Sequence, residues 1–149
     1  MSNQRYGGYL FPLSSTSGNT VIIGQAGGGT VPVFSGGTVV DGGYAYGAKK
    51  SYDTNDNTVI VNSGSKIGSA GYNAVGVNGG NSQYGNAYNN TVIINGGSFE
   101  GANASRPCGI LGGFAQGKGN ANNNTVTING GTSTQSYIED GQRGLLDYR

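Results

Sequence analysis

The chain has 149 residues and a net charge of +1; 31 residues are Gly, only 10% are charged, and His and Trp are absent. The few cations are scattered among acids, which excludes the basic stripe that a nucleic-acid partner would need. No stretch approaches the roughly 20 apolar residues of a membrane span, and no basic-then-apolar signal peptide opens the chain.

The tripeptide Asn-Thr-Val recurs along the chain and defines an internal repeat of about 34 residues. A second marker, Gly-Gly followed in most copies by an aromatic residue, interleaves with it. Val and Ile runs at this regular spacing argue against a disordered Gly/Asn-rich linker. We therefore predict one domain over residues 1–149, with a half-coil at 6–18 and a partial coil at 124–149. The repeats start near Asn19, Asn57, Asn90 and Asn124.

Each copy is predicted to contain the same elements in the same order. In the third copy, a strand at 91–94 leads through an Asn-Gly-Gly turn to a short strand at 98–100. A variable stretch, a strand over 110–115 and an Asn/Gly-rich return follow. No segment has the three-to-four-residue apolar spacing of an amphipathic helix, which excludes helical repeats of similar length. Short strands joined by Gly/Asn turns predict an all-β parallel β-solenoid with about four coils of roughly 34–35 residues.

Stacked coils place equivalent residues about 4.8 Å apart, so that like residues form columns. Three columns are apolar in every copy and are predicted to point into the core. They comprise Val21, Val59, Val92 and Val126; Ile23, Val61, Ile94 and Ile128; and Val40, Val77, Ile110 and Leu145. Asn and Gly are expected at the corners because they tolerate positive φ, and stacked Asn amides can bond along a column.

The residues that alternate with the first two columns are expected to point outward as a Thr/Ile strip. The strip comprises Thr20, Thr58, Thr91 and Thr125, together with Ile22, Ile60, Ile93 and Thr127. The preference of β-branched residues for strands explains the strip without any function. The functional alternative is a docking face, because stacked exposed Ile makes a contiguous apolar stripe. Ice binding through this regular face is a further hypothesis.

The two ends of the chain fall near the same place in the repeat. Tyr6 aligns with Leu111, and Gly144-Leu145-Leu146 aligns with Gly109-Ile110-Leu111. Open solenoid ends expose unpaired backbone groups and usually need caps. Two hypotheses stay open: the chain is a piece of a longer repeat array, or the last coil of one subunit seats on the first coil of the next and builds a filament. The expected end-to-end interface comprises Tyr6, Tyr9, Leu10, Phe11, Leu145, Leu146 and Tyr148.

The residues offer little for catalysis, and the chain is not predicted to be an enzyme. His, the commonest general base and metal ligand, is missing, Cys108 stands alone, and the carboxylates do not gather in one column. The segment 53–57, DTNDN, could ligate calcium, but Asn and Asp in a turn explain it as well. We predict no metal and no cofactor. The ten Tyr could stack on sugars or neighbouring chains, or cover Gly-rich backbone.

The string NTVxINGGxF, followed by a variable stretch and then Ile/Val-x-Gly-Gly-aromatic, resembles the passenger repeats of bacterial autotransporter-type surface proteins. The likeness covers nearly the full chain. It implies a right-handed parallel β-helix, an extracellular or cell-surface location, and a role as an adhesin or a surface stalk.

We therefore expect a non-catalytic, extracellular structural or adhesive β-solenoid that assembles head-to-tail into a fibre. Its partner would be a second copy of itself or adjacent repeats of a longer chain. The alternative is an adhesin passenger fragment that binds a glycan or a host protein through its loops and Tyr side chains.

Overall fold

The computed structural model describes residues 3–6, 15–27, 32–35, 37–47, 51–68, 75–101, 108–134 and 136–143. Every regular element within these ranges is a β-strand. The described residues contain no helix that is long and apolar enough to cross a bilayer. The strands form four parallel sheets, which we number I to IV in the order in which the chain first enters them. The chain runs through sheets I, II, III and IV and then re-enters sheet I beside its previous strand, as in a parallel β-helix. The predicted fold class is confirmed.

In the described part of the chain, sheet I has five strands and each of the other sheets has four. Sheet I consists of β1 (Asn3–Tyr6), β5 (Thr38–Ala45), β9 (Val75–Ser82), β13 (Cys108–Ala115) and β17 (Ser136–Arg143). Sheet II consists of β2 (Thr16–Ser17), β6 (Thr54–Asn55), β10 (Ala87–Tyr88) and β14 (Ala121–Asn122). Sheet III consists of β3 (Thr20–Ile23), β7 (Thr58–Val61), β11 (Thr91–Ile94) and β15 (Thr125–Ile128). Sheet IV consists of β4 (Val33–Phe34), β8 (Lys66–Ile67), β12 (Ser98–Glu100) and β16 (Thr132–Thr134).

The Asn-Thr-Val repeat is the register of sheet III. Its four strands pair without offset, so that Thr lies on Thr and Val on Val in every coil. The Asn residues before these strands are 38, 33 and 34 residues apart. Alternation along each strand then turns every second side chain inward.

The structure places the first two predicted columns inside the coils. Val59, Val61 and Val92 are fully buried, whereas Val21 and Val126, at the two ends of their column, are half-buried. Ile128 is 47% exposed, because no described coil lies over it. The core also contains Ile67 and Phe99 of sheet IV, with Phe34 packed against them. The last member of this column is Ser133, so the column is not apolar in every copy, and the search for apolar columns missed it.

The third predicted column is correct in sheet I for Val40, Val77 and Ile110, but it is wrong for Leu145. Ile110 pairs with Ile138, and Leu145 lies outside the described residues. The last coil is shorter than its predecessor: residues 101–107 separate β12 from β13, whereas a single residue separates β16 from β17. The final strand therefore begins earlier than a constant period predicts.

A ladder of Asn amides holds the corner between sheets II and III. Asn19 Nδ2 donates to Asn57 Oδ1 at 2.9 Å, and Asn57 Nδ2 donates to Asn90 Oδ1 at 3.0 Å. Asn90 Nδ2 donates to Asn124 Oδ1 at 3.1 Å. The backbone N–H of each of the first three Asn donates to the same oxygen of the next coil. Because Asn57 and Asn90 are fully buried, these bonds replace water that cannot reach the corner.

Each ladder Asn follows a residue with positive φ, which turns the chain from sheet II into sheet III. These residues are Gly18, Asp56, Asn89 and Asn123, with φ between 53° and 68°. Asn and Asp adopt this left-handed conformation more readily than other residues with a side chain. The expected Asn/Gly corners are thus present at this turn.

Asn90→Ala is expected to destabilise the fold by roughly 3–5 kcal/mol, because Asn57 loses the acceptor of its backbone and side-chain N–H groups, and the Thr54 carbonyl and Asn124 Oδ1 each lose a donor. Asn95→Ala, in the same coil, is the control. Asn95 lies exposed in a second amide ladder, with Asn62 and Asn129, and its loss should cost less than about 1 kcal/mol. Urea unfolding measures both values. Equal costs for the two variants would contradict a structural role for the buried ladder.

Candidate functional site

The Gly-Gly pairs of sheet I lie where successive coils approach too closely for a side chain to fit. A Cβ on Gly42, Gly79 or Gly112 would lie against the backbone carbonyl oxygen of the next residue in its column, closer than real Cβ contacts. A Cβ on Gly79 would also meet the Cβ of Asn90, at 2.9 Å. A coil can therefore be stacked over this position only if the position is Gly.

The apolar columns end uncovered at the last described coil, which we call the C-terminal end. Ile128 is 47% exposed and Ile138 is 46% exposed, whereas Ile94 and Ile110, one coil earlier, are each 1% exposed. These four side chains and Phe99 line a cavity of about 80 Å³. Ile23, the first member of the Ile128 column, is only 5% exposed. Exposure of this core column is thus concentrated at one end of the solenoid.

The buried Asn ladder also distinguishes the two ends. Its amides donate from each coil to the following coil, so the ladder has a direction. At the C-terminal end, Asn124 uses its Nδ2 group on the carbonyl of Ala87. Among the described residues, nothing accepts from the backbone N–H of Asn124 and nothing donates to Asn19 Oδ1. One end of the ladder therefore presents a donor and the other end an acceptor.

Asp140 of β17 stands where the earlier coils carry Gly42, Gly79 and Gly112. Its Oδ1 accepts the backbone N–H of Val126 at 3.2 Å. Val126 lies on β15, the last strand of sheet III, and its N–H points toward the place of a following coil. In the inner coils, the space beside this position is filled by the ladder Asn at the corner between sheets II and III, such as Asn124 beside Gly112. At the last coil the Asp140 side chain occupies the corresponding space.

Asp41 is a fully buried carboxyl group on β5, and its strand lies between β1 and β9 in sheet I. Asn78 Nδ2 donates to its Oδ1 at 2.8 Å, whereas its Oδ2 has no partner. Burial raises the pKa of Asp41 to about 7, against the lowering effect of the hydrogen bond from Asn78. The neutral acid is therefore the form that the fold favours.

The residues considered for chemistry do not come together. Burial raises the pKa of Cys108 to about 12, so its thiol is a poor nucleophile. No group of three or more His, Cys, Asp or Glu gathers within the described ranges. In the segment 53–57, Asp53 Oδ1 accepts the N–H of Asn86 at 2.7 Å, and Asp56 occupies the turn with φ of 56°. Asp53 is thus engaged by the next coil, and Asp56 accepts from Asn55 in its own turn.

The Thr/Ile strip forms as an in-register array on the outer side of sheet III. Ile22 is 62% exposed, Thr20, Thr125 and Thr127 are exposed, and the middle rungs are half-buried. An open cavity of about 460 Å³ lies beside Ile22 and Ile60. On sheet I, Tyr44 and Tyr46 stack with ring centroids 6.4 Å apart. Tyr44 and Phe114 share a column, with Asn81 between them.

The expected end-to-end interface lies mostly beyond the described residues. Only Tyr6 falls on a strand, β1, where its backbone pairs with Asp41. The residues outside the described ranges are Tyr9, Leu10, Phe11, Leu145, Leu146 and Tyr148. The alignment of the internal repeats in the sequence analysis missed Ile138 and Asp140. Aligning Ile138-Glu139-Asp140-Gly141 with Ile110-Leu111-Gly112-Gly113 would have found both, because it matches the Ile and the second Gly.

Comparison of the chain with protein-family models, with curated proteins and with solved structures found no match. The function therefore has to be argued from the geometry.

The raised pKa of Asp41 predicts that stability depends on pH. Since the pKa is higher in the folded state (about 7) than the ordinary 3.8, the free energy of unfolding should be highest below pH 4 and fall until about pH 7. Asp41→Asn should remove most of this loss, at about 1.4 kcal/mol per pKa unit. Urea unfolding between pH 4 and 8 measures it. Glu139→Gln, an exposed carboxylate in the same column, is the control and should retain the wild-type profile. A flat wild-type profile would contradict the burial of an ionisable Asp41.

Proposed function

We propose that the chain is a non-catalytic structural β-solenoid that binds a second copy of itself, head to tail, through its C-terminal end. The observation that carries this proposal is the exposure of Ile128 and Ile138, the last members of two core columns whose inner members are buried. Full burial of such a side chain contributes about 1.5–3 kcal/mol, so covering the exposed half of each adds roughly 1 kcal/mol. A further coil is the surface that fits them, because the column already repeats at that spacing.

The strands of the two ends match in sheets II and III. With another copy stacked in register, Thr125 and Val126 would lie beneath Thr20 and Val21. The backbone of Ile128 would lie beneath that of Ile23, whose side chain is only 5% exposed in the single copy. In sheet II, Ala121 would meet Thr16, both small residues. Parallel edge strands offer unpaired backbone groups for such an extension.

The direction of the buried Asn ladder favours head-to-tail over tail-to-tail contact. In a head-to-tail stack, Asn124 N–H would donate to Asn19 Oδ1 of the next copy, as the inner coils do. A tail-to-tail dimer would place two Asn124 donors against each other. The second ladder does not continue in the same way, since Gly24 stands at its first position, but that corner is exposed to water. Head-to-tail contacts do not close, and repeated contact gives a filament.

A surface location and a relation to autotransporter-type passengers fit this proposal, and the Asn-Thr-Val repeat supports them. An adhesin that binds a glycan or a host protein is the alternative function. The stacked rings of Tyr44 and Tyr46 favour it, because aromatic faces pack against sugars.

Ile128→Lys tests the contact. Lys places a charge in the apolar column at the junction, whereas its cost to the single copy is small because Ile128 is already 47% exposed. We expect the wild type to show concentration-dependent association by sedimentation velocity, with elongated particles in electron micrographs, and Ile128→Lys to be monomeric. Thr127→Lys is the matched control, because Thr127 immediately precedes Ile128 on the same strand but lies on the outer strip. This variant should associate like the wild type.

A wild-type monomer at every concentration would overturn the proposal. Loss of association in Thr127→Lys but not in Ile128→Lys would instead place the contact on the outer strip.

A further inference from the structure

We propose that β17 is a stop strand which limits the head-to-tail contact proposed above, and that Asp140 is the residue responsible. β17 is the fifth described strand of sheet I, whereas sheets II, III and IV each have four. A docking copy that continues these three sheets would bring its own β1 to the level that β17 already occupies. Only one of the two strands can lie there.

β17 is suited in part to replace β1 of the docking copy. Ile138 lies in the apolar column of Val77 and Ile110, at the register position that Arg5 has in β1. An Ile from a neighbouring copy would therefore continue the column beneath Val40 with an apolar side chain. This position does not hinder exchange of one strand for the other.

Asp140 hinders the exchange. The inner coils show that a Cβ at this position would collide with the backbone of the next coil, which is why Gly42, Gly79 and Gly112 stand there. A copy seated on β17 would place its own sheet I backbone against the Asp140 side chain. Contact along sheet I, which would cover Ile138, is thus hindered in the wild type, so the contact rests mainly on sheets II to IV and on Ile128.

The Asp140 carboxylate also satisfies an edge group that a docking strand would need. The N–H of Val126, which would donate to a following strand of sheet III, donates instead to Asp140 Oδ1 at 3.2 Å. β17 also carries the exposed Glu139, where β13 carries Leu111. Charged side chains on an edge strand discourage edge-to-edge pairing. Sterics, capping and charge all act in the same direction at this edge.

Asp140→Gly tests the stop strand, because it restores the residue of the inner coils. We expect its association constant, measured by sedimentation velocity, to exceed that of the wild type at least about tenfold, which corresponds to about 1.4 kcal/mol. Asp140→Asn keeps the Cβ and an acceptor oxygen and should stay within about twofold of the wild type. Glu139→Gly controls for the flexibility that Gly adds to the same strand and should not strengthen association.

A second measurement reads the Asp140 contact in the single copy. At a concentration where Asp140→Gly is monomeric, hydrogen exchange of the Val126 amide should be faster than in the wild type, and Asp140→Asn should keep the slower rate. An unchanged Val126 rate in Asp140→Gly overturns the cap.

The outcomes separate this inference from the proposed function. If the wild type associates in the Ile128-dependent way and Asp140→Gly associates no more strongly, the stop strand is wrong and the head-to-tail contact stands. If the wild type is monomeric and Asp140→Gly associates, the stop strand stands and self-association is not the function of the wild type. If neither associates, both ideas fail.

Discussion

Along the paired strands of the inner coils, each residue has to accept an equivalent residue about 4.8 Å above it and another below it, because the coils stack in register. This condition selects the composition. Like charges in one column would repel each other, so the columns are built from β-branched residues, from Asn, whose amide can both donate and accept along the column, and from Gly. At Gly42, Gly79 and Gly112 the backbones of neighbouring coils come so close that no side chain fits. The low charge and high Gly content follow from stacking and do not themselves point to an activity.

The two ends are where this condition is relaxed, and they are where the chain departs from its own repeat. Ile128 and Ile138 keep the identity of the column and are left exposed, which is what a further coil would cover. Asp140 abandons the identity of its column and turns its carboxylate onto the edge of sheet III. One face therefore combines an apolar surface that favours addition of a coil with a side chain that opposes it. The proposed contact would therefore be of moderate strength, and a single substitution would shift it.

The fold and the inner rungs could be predicted from the sequence because the evidence for them is repeated. The columns through Val92 and Ile94 rest on four copies each, and the register of sheet III is the register of the repeated Asn-Thr-Val. The end could not be predicted in the same way, because it occurs once. The last coil has one residue where the previous coil has residues 101–107, and this difference in length brings Ile138, and not Leu145, beside Ile110. The sequence does not distinguish Asp41 from the other scattered carboxylates. Its burial depends on its place in sheet I, where the next strand carries the neutral Asn78 in the same column.

The central claim is the register of the stacked coils, and paired cysteines test it most directly. Thr58 and Thr91 lie opposite each other on the outer face of neighbouring rungs, within the Cα separation of about 4.4–6.8 Å that a disulfide spans. The double variant Thr58→Cys/Thr91→Cys should therefore oxidise almost completely, while Cys108 stays buried and unreactive. Ile60→Cys/Thr91→Cys places the two thiols one step out of register on the same face, roughly 8 Å apart from the strand spacings, and should remain reduced. Equal oxidation of both pairs, or preference for the second pair, would contradict the stacked β-helix described here.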